Sequence, residues 1–118
     1  MEYMLLVFSD TSKFDALPAE QQKEGLAAYG AYHEALEKAG VLRSAKRLRP
    51  AQAATTVRMK GGKSEVLNGP YAETREQLGG YFLIDVPHLD AALSWAARCP
   101  GAGHGTVEVR PVWPMGEA

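Results

Sequence analysis

The sequence predicts an α+β fold of order βαββαβ with an inserted hairpin strand, on three observations. Two short runs, Tyr3 to Phe8 and Tyr81 to Val86, are apolar on both alternating faces, the pattern of central strands covered on both sides. Two longer stretches, Pro18 to Ala39 and His88 to Arg98, repeat apolar residues at helical spacing. A Gly61-Gly62 pair separates two runs of strand-forming residues, as a tight hairpin turn requires.

The elements follow in order. After the first strand, Asp10 to Pro18 reads as a polar loop, and Pro18 suits the first turn of a long helix that Gly40 ends. At 100° per residue Leu26, Tyr29, His33 and Leu36 share one face, with Tyr32 at its margin, so His33 is expected to face the sheet. Val41 to Arg49 and Ala54 to Lys60 read as strands, and Gly61-Gly62 turns the second back into Ser64 to Leu67. Gly80 to Val86 is a buried strand. Pro87 opens a second helix with Leu89, Ala92, Leu93 and Ala96 inward, and Thr106 to Val112 alternates as the last strand. Two βαβ-like halves with both helices on one face of an antiparallel sheet describe a ferredoxin-like domain spanning 1–118.

Composition narrows the function. Apolar residues at 46%, charged residues at 23% and a formal charge of -1 are ordinary globular values and point to neither nucleic acid nor membrane as partner. No apolar run approaches the roughly 20 residues of a membrane span, and no signal-like segment opens the chain, so a cytoplasmic location is expected. Cys99 is the single cysteine; it sits before Pro100 and reads as a packing residue. The three histidines have no metal-ligand spacing, so neither a metal nor another cofactor is expected. Val41 to Lys63 holds seven basic residues and no acidic one. That is either a solvated hairpin region or a place where an arginine such as Arg47 holds a carboxylate or phosphate by two hydrogen bonds.

The densest signal is the run from Asn68 to Val86, NGPYAETREQLGGYFLIDV, a polar loop feeding an apolar strand, with a Gly79-Gly80 pair that permits close backbone approach. This wording resembles the DGPF branch of the YCII-related family, whose signature runs close to DGPFAETKEQLGGF. MEYMLLVFSD, AAYGAYHEALEKAGVL and TVEVRPV extend the likeness over nearly the whole chain. The resemblance implies a homodimer that packs sheet against sheet as a dimeric α+β barrel. It also implies a site that pairs a histidine of the first helix with the aspartate of the turn, a pair suited to proton transfer. Here Asn68 stands where the signature has aspartate, and Tyr71 where it has phenylalanine. The family's helix histidine falls nearer Tyr29 than His33.

Candidate site residues are therefore His33 and Glu73 for acid-base work, Glu73 being the nearest acid to the lost aspartate, or alternatively a cap of the turn that follows it. Tyr29, Arg47, Asn68, Tyr71 and Tyr81 are the candidate ligand contacts. An amide cannot accept a proton as a carboxylate does, so Asn68 favours binding of a small, carboxylated organic molecule near a sheet end. The family resemblance implies two alternatives: a cofactor-independent lyase, isomerase or dehalogenase-like enzyme acting on a small organic acid, and an accessory interaction domain in sigma-factor-linked regulation.

Overall fold

The computed structural model describes residues 1–116; positions 117 and 118 of the expected domain lie outside the described residues. The chain runs β1 (Glu2–Ser9), α1 (Thr11–Asp15), α2 (Ala19–Lys38), β2 (Leu42–Arg47), β3 (Thr55–Lys60), β4 (Lys63–Asn68), β5 (Gln77–Asp85), α3 (Leu89–Arg98) and β6 (Thr106–Pro111). Four strands form an antiparallel sheet in the order β2-β5-β1-β6, and β3 and β4 pair only with each other. This is the ferredoxin-like α+β arrangement. The sheet is open, and the single chain closes no barrel.

Alternation along the two central strands sets the layers. In β1, Tyr3, Leu5 and Val7 are buried, and in β5 Phe82 and Ile84, with Val86 just beyond the strand end. These meet Tyr32 and Leu36 of α2 and Ala92 and Ala96 of α3 in one core. Tyr32 sets its ring edge-on to Phe82 at 5.1 Å and donates from its hydroxyl to the Trp95 carbonyl at 2.7 Å, so its polar end is satisfied where its body is dry.

The helix faces differ from the periodicity reading. Tyr32 and Leu36 centre the stripe of α2, which leaves Tyr29 about 40°, His33 about 80° and Leu26 about 100° off the centre line at helical spacing. Accordingly Leu26 is 47% exposed and His33 lies at the helix flank rather than facing the sheet. In α3 the alanines let the helix backbone approach the sheet, and Leu89 and Leu93 stay exposed. The segment expected as loop from Asp10 contains the short α1, capped by Asp10, whose carboxylate accepts from the Ser12 amide at 3.0 Å and its hydroxyl at 2.5 Å.

Gly61 and Gly62, with φ of 58° and 79°, make the primed turn between β3 and β4. Gly80 has a different task. A Cβ built there would lie 2.6 Å from the Lys46 carbonyl oxygen on the neighbouring strand, so only glycine lets β2 reach β5 at this register. Gly80→Ala is expected to cost about 1–3 kcal/mol by overpacking, read as a lowered urea midpoint at unchanged slope; an unchanged midpoint would show that β2 yields freely.

Candidate functional site

The last paired residues of the two central strands are Ser9 and Gln77, and beyond them the chain opens into two polar loops. Between these loops lies a cleft of about 270 Å³. Its lining includes Asp10 and Ser12 from the start of α1, Gln52 after β2, and Glu73, Thr74 and Arg75 before β5. Gln77 is the strap that shapes it. Its side-chain amide donates to the Ala72 carbonyl at 2.8 Å and the Thr74 carbonyl at 2.9 Å, and the Thr74 hydroxyl donates to the Glu76 carbonyl at 2.6 Å. Glu76 in turn accepts from Thr106 on β6 at 2.8 Å. The loop is thus held by its own polar side chains, which leaves the charges of Glu73 and Arg75 without a hydrogen-bonded partner among the described residues.

Electrostatics at the cleft are mixed. The Ser12 hydroxyl, more than any other group, holds the Asp10 carboxyl below its usual range, with further help from the Ser12 amide, Lys13 and Arg75. Arg75 therefore acts weakly on one carboxylate of the cleft through space.

The residues singled out in the sequence are spread over five places. Glu73 lines the cleft. Asn68 ends β4 opposite Thr55 and is exposed, and Tyr71, 78% exposed, lies under the Arg58 guanidinium at 5.5 Å. Tyr81 is on the sheet face away from the helices, its hydroxyl 3.0 Å from Ser44 Oγ. His33 Nδ1 is 3.0 Å from Glu37 Oε1, its neighbour one turn on, with both side chains partly in solvent. Tyr29 lies on the helix side, where it meets Cys99 and Gly101 and the Arg47 guanidinium acts on its phenol through space. Asp10, Ser12 and Arg75 were not singled out. Arg75 stood inside the signature run, and Asp10-x-Ser12 directly after a strand was a legible side-chain cap.

Among the described residues no three His, Cys, Asp or Glu side chains gather as a metal site, and no helix is long and apolar enough to cross a membrane. A second hollow of about 240 Å³, lined by Met1 and 111–114, is mainly apolar.

Burial acts most on the tyrosines of α2. The Tyr29 phenol is pushed up to about 12, first by burial and then by the Cys99 thiol beside it, with Arg47 opposing. Tyr32 is raised further, again chiefly by burial. A raised folded-state value means that the neutral phenol stabilises the fold fully below the ordinary value of about 10 and that this contribution is lost as pH climbs through the folded value. Absorbance titration should show two of the five tyrosines ionising late, with unfolding stability falling above pH 10. Tyr29→Phe should lose less stability over that window. Five coincident titrations would contradict this packing of α2.

The whole-chain comparison agrees with the architecture. The YCII-related domain matches residues 1–116. An uncharacterized protein of Rhizobium meliloti (strain 1021) is 38% identical over 114 residues, covering 95% of this chain and 92% of that protein. A β1 that ends at a capped loop, a signature loop entering β5 and an antiparallel sheet backed by two helices are thus the features of a chain that belongs to the YCII-related domain family.

Proposed function

We propose that the protein binds a small carboxylated molecule in the cleft at the Ser9–Gln77 end of the sheet. The carrying observation is Arg75, a cation with no ion-paired partner among the described residues, lining a cleft of about 270 Å³. Its planar guanidinium takes a carboxylate through two hydrogen bonds, and Glu73 accepts from a donor group elsewhere on the same ligand. Binding is preferred over acid-base catalysis because no histidine lines the cleft and the His33 imidazole sits with Glu37 on the flank of α2. The wording of the signature loop, NGPYAETREQLGG, supports the DGPF branch.

Calorimetric titration with a panel of small carboxylic acids and their neutral amides is the test. At least one acid should bind while its amide does not, and Arg75→Gln should weaken it about 10- to 100-fold, whereas Arg47→Gln should not. High salt should weaken binding as well, since the contact is partly exposed. An Arg75→Gln protein with unchanged affinity would overturn the assignment.

We infer further that two copies pair through the sheet face opposite the helices. Met4, Leu6, Phe8, Tyr81 and Leu83 make its centre and are only partly covered. One row across it reads Lys46, Tyr81, Leu6, Glu108, with a cation at one edge and, at the other, a carboxylate that is ion-paired with Arg110 of its own strand. A twofold axis along the strands sets Lys46 of each copy against Glu108 of the other, twice. Light scattering should show a dimer at micromolar concentration that Leu6→Lys dissociates; a monomeric native protein would remove this reading.

A further inference from the structure

The ribbon of β3 and β4 has no place in the core. All of its residues except Thr56 are exposed, and it pairs with no other strand. Its register sorts it into two faces. Val57, Met59 and Val66 lie on one, at 60%, 68% and 59% exposure, while Arg58, Lys60, Lys63 and Glu65 lie on the other, together with a single exposed aliphatic, Leu67. An isolated two-stranded ribbon is marginal in water, and this one is regular through six paired positions with an aliphatic stripe in solvent. It also extends the molecule. The radius of gyration is 16.3 Å, against about 13–14 Å for a compact chain of this length.

Dimensions point to the occupant. An open sheet face four strands wide measures about 19 by 20 Å. Two such faces bury about 800 Å² in all, the upper end of crystal-contact areas and short of the 1,200–2,000 Å² of a stable interface. A ribbon of two strands is about 10 Å wide, which is also the spacing of stacked sheets. Two ribbons, each walling one flank of the stacked pair, bring the buried area to about 1,500 Å², inside the stable range. The two faces of the ribbon suit that position, with the aliphatic stripe turned to the space between the sheets and the charges to water.

We propose that the β3–β4 ribbon is an intersubunit arm that lays Val57, Met59 and Val66 against the flank of a second copy of this chain. This rests on the sheet-face pairing inferred above. It also bears on the ligand cleft, because both roots of the arm wall it: Ala51 and Gln52 on the outgoing side, Pro70 and Glu73 on the return. An arm held by the partner holds those walls, so the cleft takes its full form only in the dimer.

Sedimentation equilibrium on the native protein, Val57→Lys/Met59→Lys, Leu6→Lys and a Lys60→Ser/Lys63→Ser control tests the arm. The arm variant should raise the dimer dissociation constant at least tenfold while the control does not. Far-ultraviolet circular dichroism should stay native, since the ribbon adds no buried residue to the core. Hydrogen exchange supplies the second measurement: amides of β3 and β4 should be protected at high protein concentration and lose protection on dilution. A native dimer that Leu6→Lys dissociates but the arm variant leaves intact, or ribbon protection independent of concentration, overturns the arm and spares the sheet pairing. A native monomer overturns both, and ligand binding, measured separately, answers for the cleft.

Discussion

Two helices cover one face of a four-stranded antiparallel sheet and no more, and the rest of the molecule is arranged around that constraint. Along β1 the residues alternate between fully covered and partly covered, and β5 repeats the pattern in register. The covered set meets Tyr32, Leu36, Ala92 and Ala96. The other set is no less apolar at its centre, with Met4, Leu6, Phe8 and Leu83. A strand that is apolar on both faces is made to be covered twice, and within one chain only the first covering exists.

The same constraint explains what was legible in the sequence. Strand identity, the long helix, the glycine turn of the hairpin and the order of elements came from patterns that local chemistry decides. Rotation of the helices did not. A stripe holding Leu26, Tyr29, His33 and Leu36 and one centred on Tyr32 and Leu36 differ by only a fraction of a turn in periodicity. The choice is made by Tyr32, whose hydroxyl finds the Trp95 carbonyl and whose ring finds Phe82. Those are contacts across 50 and more residues that no window along α2 contains. Small residues misled in α3 for a related reason: Ala92 and Ala96 are buried because they are small enough for close approach, and the larger leucines beside them remain outside.

The candidate site was legible as a region more than as a residue set. The run from Asn68 to Gly80 does carry the polar groups that build the cleft, but many of them are structural. Gln77 and Thr74 use their hydrogen bonds on the loop itself, which is how an exposed segment without regular structure keeps one shape. What remains for a ligand are the groups with no such duty, Glu73 and Arg75. Asn68, which commands attention in the linear signature, ends up as the last residue of the hairpin, where Thr55 pairs with it and the next residue, Gly69, donates to Ala54 and accepts from Thr56. An aspartate there would sit at the root of the arm, at the same distance from the sheet end.

The position of the hairpin in the chain carries the last step. β2 and β5 are neighbouring antiparallel strands, a connection that a two-residue turn can make, yet the chain spends positions 48–76 between them. Ordering each backbone residue costs about 1–2 kcal/mol, and this excursion returns no buried apolar side chain to the core. Its two ends meet again at the cleft, where 51–52 and 70–75 face each other. The sheet does not require this segment and the core does not use it. On the reading proposed above, the cleft at its base and the aliphatic stripe along its length are the two places where that offsetting free energy enters: a ligand at the first and a second subunit at the other.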